Sequence, residues 1–163
     1  MSDALYNDIV ASQNTDTQSE EKASGATWLV FRTGSENYAI DSAEVKEIVR
    51  NTELFPLPFV PPYVKGVLNS YGIPYAVVDL SQLLGEDSTA ERLFLILKNK
   101  NNVALQVADI QEFHHNSEVA FHGFTDSADA GTQLFLGTIS FDDVIAPVLH
   151  ATALIDKVRS DIE

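Results

Sequence analysis

The strongest fold signal lies in residues 64–80, which read VKGVLNSYGIPYAVVDL. Two short apolar runs, 66–69 and 73–78, flank the turn-forming residues Ser70-Tyr71-Gly72. Apolar runs of this length around a glycine-containing turn predict a β-hairpin. Asp79 follows the second run and suits a helix N-cap, and Gly85 is placed to end a short helix. The stretch therefore predicts a hairpin that leads into a short helix.

Upstream of this stretch, residues 28–40 show a similar pattern. An apolar run over 28–32 precedes the turn-forming residues 34–37, and apolar character resumes at 38–40, which predicts a first hairpin. Asp41 and Glu44 then have capping-box spacing, so a short helix is expected from about Ser42 to Val49. Four prolines between residues 56 and 62 exclude a central strand there and predict an extended crossing segment.

The pattern recurs along the chain at two offsets in residue number. The shorter offset aligns Glu47-Ile48 with Glu112-Phe113, and the longer offset aligns the run 66–69 with 137–140. The recurrence predicts two similar β-rich lobes in tandem, lobe one at about 27–90 and lobe two at about 91–150, with a C-terminal helix at about 151–159. Each lobe offers about five short strands, enough to close a small barrel.

The segment before the first hairpin has a different composition. Residues 11–25 contain few apolar side chains, so ordering them would cost entropy without burying a core. Residues 1–26 are therefore predicted to be a flexible tail, and the folded domain is expected to span 27–158.

The chain is strongly acidic. Lys and Arg number 10 and Asp and Glu 24, for a net charge of −14 in 163 residues. Such a chain repels phosphate backbones and anionic lipids, so nucleic acid and membrane surfaces are not expected as partners. No secretory signal is visible, and no apolar run approaches the ~20 residues of a membrane span. With no cysteine, these features predict a soluble cytoplasmic protein without direct membrane insertion.

Signals for catalysis and for cofactors are weak throughout. The four histidines lack metal-ligand spacing, and neither a nucleophile elbow nor a glycine-rich phosphate loop is present. No catalytic residue, metal site or cofactor is therefore expected. The residues favour a non-enzymatic module that presents an edge or a groove to a partner.

The motifs also resemble a known family. Over roughly Trp28 to Val158 the chain resembles the CheW family, the adaptors of bacterial chemotaxis arrays. The residues that carry the resemblance are Leu29–Gly34, Tyr38–Asp41, Val45–Ile48, Pro62–Asn69 and Tyr75–Leu80.

The resemblance implies a mainly β protein of two tandem SH3-like five-stranded β-barrels, packed side by side, with short helices. It further implies a non-catalytic adaptor that couples a CheA-type histidine kinase to chemoreceptors. In the family, the kinase's regulatory domain pairs barrel to barrel with the adaptor through apolar contacts, and the cytoplasmic tip of the receptor lies in a groove between the barrels.

Seven positions are carried over from the family as partner-binding. The resemblance implies that the receptor or kinase contacts are bordered by Val45, Glu47, Lys65, Gly66, Asn69, Tyr71 and Gly72. At Gly66 the missing side chain would permit close backbone approach.

One of these positions departs from the family pattern. The family usually reads Asn-Leu-Arg-Gly at the turn, whereas this chain reads Asn69-Ser70-Tyr71-Gly72. Tyrosine cannot replace the planar charged fork of arginine. Either Tyr71 only packs on Pro74 to cap the turn, or the chain is a divergent adaptor that binds the kinase more readily than a standard receptor tip.

Three other functions stay open at this point. The chain could act in a related pathway such as type IV pilus control. A small-ligand-binding double barrel would need a sizeable apolar pocket between the lobes. An oligonucleotide-binding barrel would need a basic face, which ten cationic residues hardly supply.

Overall fold

A computed structural model describes residues 25–87, 90–124 and 134–162. The predicted tail falls outside the described residues except for Gly25 and Ala26. Two helices are present in the described chain, α1 at Leu80–Leu83 and α2 at Ala151–Ile162. The second starts where the C-terminal helix was predicted and continues beyond its predicted end. Asp79 caps α1, since its Oδ1 accepts a hydrogen bond of 3.3 Å from the Gln82 amide.

The described chain is otherwise mainly β, with eleven strands in two sheets. The strands are β1 Thr27–Thr33, β2 Glu36–Asp41, β3 Val45–Arg50, β4 Val64–Ser70, β5 Ile73–Asp79, β6 Leu93–Leu97, β7 Val103–Val107, β8 Asp109–His115, β9 Ala120–Gly123, β10 Phe135–Phe141 and β11 Val144–Leu149. The six-stranded sheet has the order β8-β1-β2-β11-β10-β9, and the five-stranded sheet has the order β3-β6-β7-β5-β4.

The strand order matches the sequence repeat. At the two offsets, the first five strands correspond in turn to β6, β7, β8, β10 and β11. When the five strands of each repeat are counted in chain order, both sheets have the order third, first, second, fifth and fourth. In each sheet the second and fifth strands pair in parallel. The extra strand β9 lies at one edge of the six-stranded sheet.

The repeats exchange strands, which differs from the predicted division into lobes near residue 90. The β1–β2 hairpin pairs with β8 and β11 from the second half, while β6 and β7 join β3, β4 and β5. Because equivalent strands have similar hydrophobic patterns, the sequence could show the repeat without showing which copy each hairpin joins. Apart from β9, each sheet combines two strands of one repeat with three of the other.

The helix predicted from about Ser42 to Val49 is wrong. A 3₁₀ turn at Ser42–Glu44 is followed directly by β3, whose Val45 and Ile48 stand opposite Leu97 and Leu95 of β6. Asp41 does cap the turn, accepting a hydrogen bond of 3.0 Å from the Ala43 amide. The apolar positions that match a helical face are also β-branched, and pairing with a buried strand overrides the local signal.

Three apolar clusters fill the part of the protein that the structure describes. One lies inside the six-stranded sheet around Trp28 and Ile139, and another lies inside the five-stranded sheet around Leu68 and Phe94. The largest includes residues of both sheets and the buried face of α2. This arrangement fits two barrel-like units that share an interface. Along the described parts of the chain, no helix is long and apolar enough to cross a lipid bilayer.

Candidate functional site

An open groove lies between the two sheets. It is lined by Leu29 and Phe113 of the six-stranded sheet, by Ser42, and by residues 45–48 of β3, and its volume is about 260 Å³. Two of the large apolar side chains that line it are exposed, Ile48 to 38% and Phe113 to 54%. Exposed apolar side chains on facing walls make the groove suitable for an apolar ridge of another protein.

The two walls of the groove are repeat equivalents. Ile48 on β3 and Phe113 on β8 are related by the shorter offset, and so are Glu47 and Glu112. The groove therefore lies where the third strands of the two repeats approach each other.

Val45 and Glu47, two of the positions carried over from the family, lie on the β3 wall. Val45 is half-buried and packs against the cluster between the sheets. Glu47 turns toward the β4–β5 hairpin, where its Oε1 accepts a hydrogen bond of 2.8 Å from the Ser70 hydroxyl. Glu47 therefore joins the groove wall to the neighbouring turn.

A second contact joins β3 to the same hairpin. The Lys46 ammonium donates a hydrogen bond of 3.1 Å to the Tyr75 hydroxyl and lies 5.8 Å from the centre of that ring. Tyr75 is itself buried in the five-stranded sheet. Because β3 and β4 are the two ends of the strand order, these side chains connect the sheet across its opening.

The turn after β4 presents Tyr71 to solvent. Tyr71 and Gly72 have φ values of 52° and 82°, as in a type I′ turn, and the Asn69 Oδ1 accepts a hydrogen bond of 2.9 Å from the Gly72 amide. Tyr71 is 94% exposed, so of the two alternatives the one in which it only packs on Pro74 is wrong. A large side chain held in the left-handed region without packing contacts is a candidate binding residue.

Lys65 and Gly66 lie toward the other end of β4, roughly 13–17 Å from Ser70 at strand spacing. Gly66 has a φ of 140°, and a Cβ there would lie 2.4 Å from the Phe55 carbonyl oxygen. Phe55 and Val67 exchange backbone hydrogen bonds of 2.8 and 2.7 Å. The backbone that approaches Gly66 closely is therefore that of Phe55, in the segment of this chain before β4.

The structure thus brings five of the seven predicted positions together. Val45 and Glu47 join Asn69, Tyr71 and Gly72 through the Ser70 contact, while Lys65 and Gly66 stand apart. Sequence reasoning missed Leu29, Ile48 and Phe113 as groove residues. The sequence repeat contained a signal for Phe113, since the shorter offset aligns Phe113 with Ile48.

The histidines and carboxylates of the same region do not form a metal site. Within residues 25–87, 90–124 and 134–162, no three His, Asp or Glu side chains converge as a metal site would require. His114 lies 2.9 Å from Glu112, and its ring centre lies 4.0 Å from that of Phe141. Its surroundings are those of a packed aromatic residue at the edge of a barrel.

The family model of the CheW-like domain matches residues 27–159. The chain belongs to the CheW-like domain family. It is 26% identical over 148 residues to the chemotaxis protein CheW of Bacillus subtilis, a match covering 86% of this chain and 93% of that protein.

Two further comparisons agree. The chain is 30% identical over 88 residues to the chemotaxis protein CheW of Rhizobium meliloti, across 52% of this chain and 57% of that protein. The crystal structure of the scaffolding protein TtCheW from Thermoanaerobacter tengcongensis superposes with a TM-score of 0.65 at 20% identity, covering 77% of this chain and 89% of that one. This structural likeness supports the fold with two barrel-like units.

Proposed function

We propose that this protein is a cytoplasmic, non-catalytic adaptor that couples a CheA-type histidine kinase to chemoreceptors. Membership of the CheW-like family supports the adaptor role. The groove between the sheets is the single observation that carries the proposal, because it offers facing apolar side chains at the position where the resemblance implies a receptor tip.

The groove suits a protein better than a small ligand. Its volume of about 260 Å³ lies below the roughly 300–1,000 Å³ of typical ligand pockets. The exposed Ile48 and Phe113 leave it open along the walls, so a ligand would remain largely in water. An inserted helical ridge would cover both side chains at once.

A separate surface is available for the kinase. The backbone of Phe55 pairs with Val67 of β4, and His122 of β9 pairs with Thr138 of β10. Val67 and Thr138 are related by the longer offset. Exposed apolar side chains lie beside both, namely Phe55, Leu57, Phe59, Phe121 and Phe124. We assign the barrel-to-barrel contact with the kinase's regulatory domain to one of these two edges.

The adaptor is expected to favour the kinase over a standard receptor tip, because Tyr71 stands where the family has arginine. Calorimetry with a CheA-type regulatory domain and with a chemoreceptor cytoplasmic fragment measures both affinities. The kinase domain should bind the more tightly. Tight receptor binding without kinase affinity would contradict this preference.

A groove variant tests where the receptor fragment binds. Phe113→Asp places a charge on one wall, so binding of the receptor fragment should fall by about tenfold or more while kinase binding persists. Ile145→Ala is the matched control, because Ile145 is 68% exposed on β11 and lies outside the groove. Equal receptor binding by Phe113→Asp and the wild type would remove the groove from the contact.

A further inference from the structure

The two helices are repeat equivalents of unequal length. Leu80, where α1 begins, and Ala151, where α2 begins, are related by the longer offset, yet α1 has 4 residues and α2 has 12 residues. The backbone contacts beside them are also equivalent, with the Asp79 amide bonded to the Tyr63 carbonyl and the His150 amide bonded to the Leu134 carbonyl, each at 2.7 Å. The extension of α2 is therefore a departure from the repeat.

The extension ties one sheet to the other. The helix leaves β11 of the six-stranded sheet, and near its end Asp161 accepts a hydrogen bond from the hydroxyl of Tyr63, which directly precedes β4 of the five-stranded sheet. Lys157 donates to the same carboxylate oxygen at 3.1 Å. The position equivalent to Tyr63 is Leu134, which has no side-chain donor.

The protonation states of this pair suit a permanent contact. Burial raises the pKa of the Tyr63 hydroxyl above its usual 10.0, and the Asp161 carboxylate raises it further. The hydrogen bonds from Tyr63 and Lys157 lower the pKa of Asp161 below its usual 3.8. The tyrosine is therefore protonated and the aspartate ionised throughout the neutral range, and the contact weakens only in strong acid or strong base.

The helix and the groove share one apolar cluster. Leu154, Ile155 and Val158 of α2 pack in the cluster that contains Leu29, and Val45 packs against it from the groove wall. Leu29 and Val45 also line the groove. A displacement of α2 would therefore change the packing under both walls.

We propose that the end of α2, fastened by Asp161 to Tyr63, is a positioning element that holds the two walls of the groove at their binding distance. As a statement about receptor binding it rests on the proposed function. The fastening itself is a property of the free protein and can be measured without a partner.

Amide hydrogen exchange of the full chain tests the fastening. Tyr63→Phe keeps the ring and removes the donor, and Asp161→Ala removes the acceptor. Both should speed exchange about threefold or more at the end of α2 and at the amides of β3 and β8. Lys157→Ala is the control, because it removes the neighbouring ion pair and leaves the tyrosine bond, so β3 and β8 should exchange as in the wild type.

Two outcomes would overturn the proposal. Faster exchange confined to the last turn of α2 would make the bond a local helix-end contact. A uniform rise in exchange rate in all strands, including β10 and β11, would indicate a general loss of stability.

Calorimetry of Tyr63→Phe with a chemoreceptor cytoplasmic fragment then tests the link to function, with a several-fold loss of affinity expected. If the wild type itself does not bind the fragment, the proposed function fails while the exchange result stands.

Discussion

The turns after β4 and after β10 have one backbone geometry and different side chains. Tyr71 and Gly72 have φ values of 52° and 82°, and their equivalents Asp142 and Asp143 have 42° and 65°. In both hairpins the residues on either side of the turn pair directly, Ser70 with Ile73 and Phe141 with Val144. The difference between the turns therefore lies in what each one presents.

At the first position of the turn, aspartate suits the geometry better than tyrosine. Asp adopts the left-handed region more readily than large side chains do, so Asp142 takes this conformation at a lower cost than Tyr71. Tyr71 takes the same conformation while almost its whole side chain faces solvent. A residue that fits poorly and packs against nothing is best explained by a role outside the folded chain.

The residues before the two turns have also diverged. Ser70 bonds Glu47 of the groove wall, whereas Phe141 packs inside the six-stranded sheet beside His114. One hairpin is therefore connected to the groove, and the other closes its own barrel. We therefore expect partner binding at the Tyr71 turn and a structural role for the Asp142 turn.

The largest expected effect tests whether the hairpins are equivalent. Gly66 and Gly137 are related by the longer offset, and a Cβ would lie 2.4 Å from the Phe55 oxygen at the first and 2.2 Å from the His122 oxygen at the second. Gly66→Ala and Gly137→Ala should each lower the free energy of unfolding by about 2–4 kcal/mol, because backbone must move in both cases. Urea unfolding measures the change.

Gly25→Ala is the control for these variants, because a Cβ there meets nothing within 4 Å. Its free energy of unfolding should stay within about 0.5 kcal/mol of the wild type. A small effect at Gly66 or Gly137 would show that the segment opposite that glycine moves freely, and the two hairpins would then not be supported in the same way.

The second prediction concerns the side chains that the turns present. Tyr71→Arg restores the family residue and should raise affinity for a chemoreceptor cytoplasmic fragment by about tenfold, or about 1.4 kcal/mol, if the partner presents a carboxylate there. Asp142→Arg is the matched control, since it adds more positive charge at the equivalent turn. Calorimetry at two salt concentrations separates a specific contact from general attraction. Equal gains by both variants, or no gain at Tyr71→Arg, would place the Tyr71 turn outside the contact.

Much of the fold was predictable from local patterns. The two early hairpins, the cap at Asp79 and the repeat follow from apolar runs, turn residues and spacing. The exchange of strands between repeats was not predictable in this way. The third strands of the two repeats, β3 and β8, have similar patterns, so the sequence does not show which of them pairs with β1. The strand β3 was missed because its pairing with β6 is a long-range contact that outweighs the helical spacing of Val45 and Ile48.

The site was predictable only in part for a similar reason. The resemblance pointed to Val45, Glu47 and the Tyr71 turn, which the fold brings together. Phe113 belongs to no motif, and the motif that contains Leu29 predicts a strand without saying what that strand faces. The place of both residues in the groove depends on tertiary packing. Gly66 belongs to a motif, and the structure gives it a packing contact within the chain.

The smallest effect bears on the strain at Tyr71. Tyr71→Asn should raise the free energy of unfolding by about 0.5 kcal/mol, because asparagine adopts a positive φ at lower cost. Asp142→Asn should change it by less, since aspartate already tolerates that conformation. Urea unfolding of both variants gives the difference. If Tyr71→Asn were the more stable protein and yet lost affinity for the kinase domain or the receptor fragment, the turn would trade stability for binding. A loss of stability on that substitution would instead show that the Tyr71 side chain supports the fold, and the contrast between the two turns would disappear.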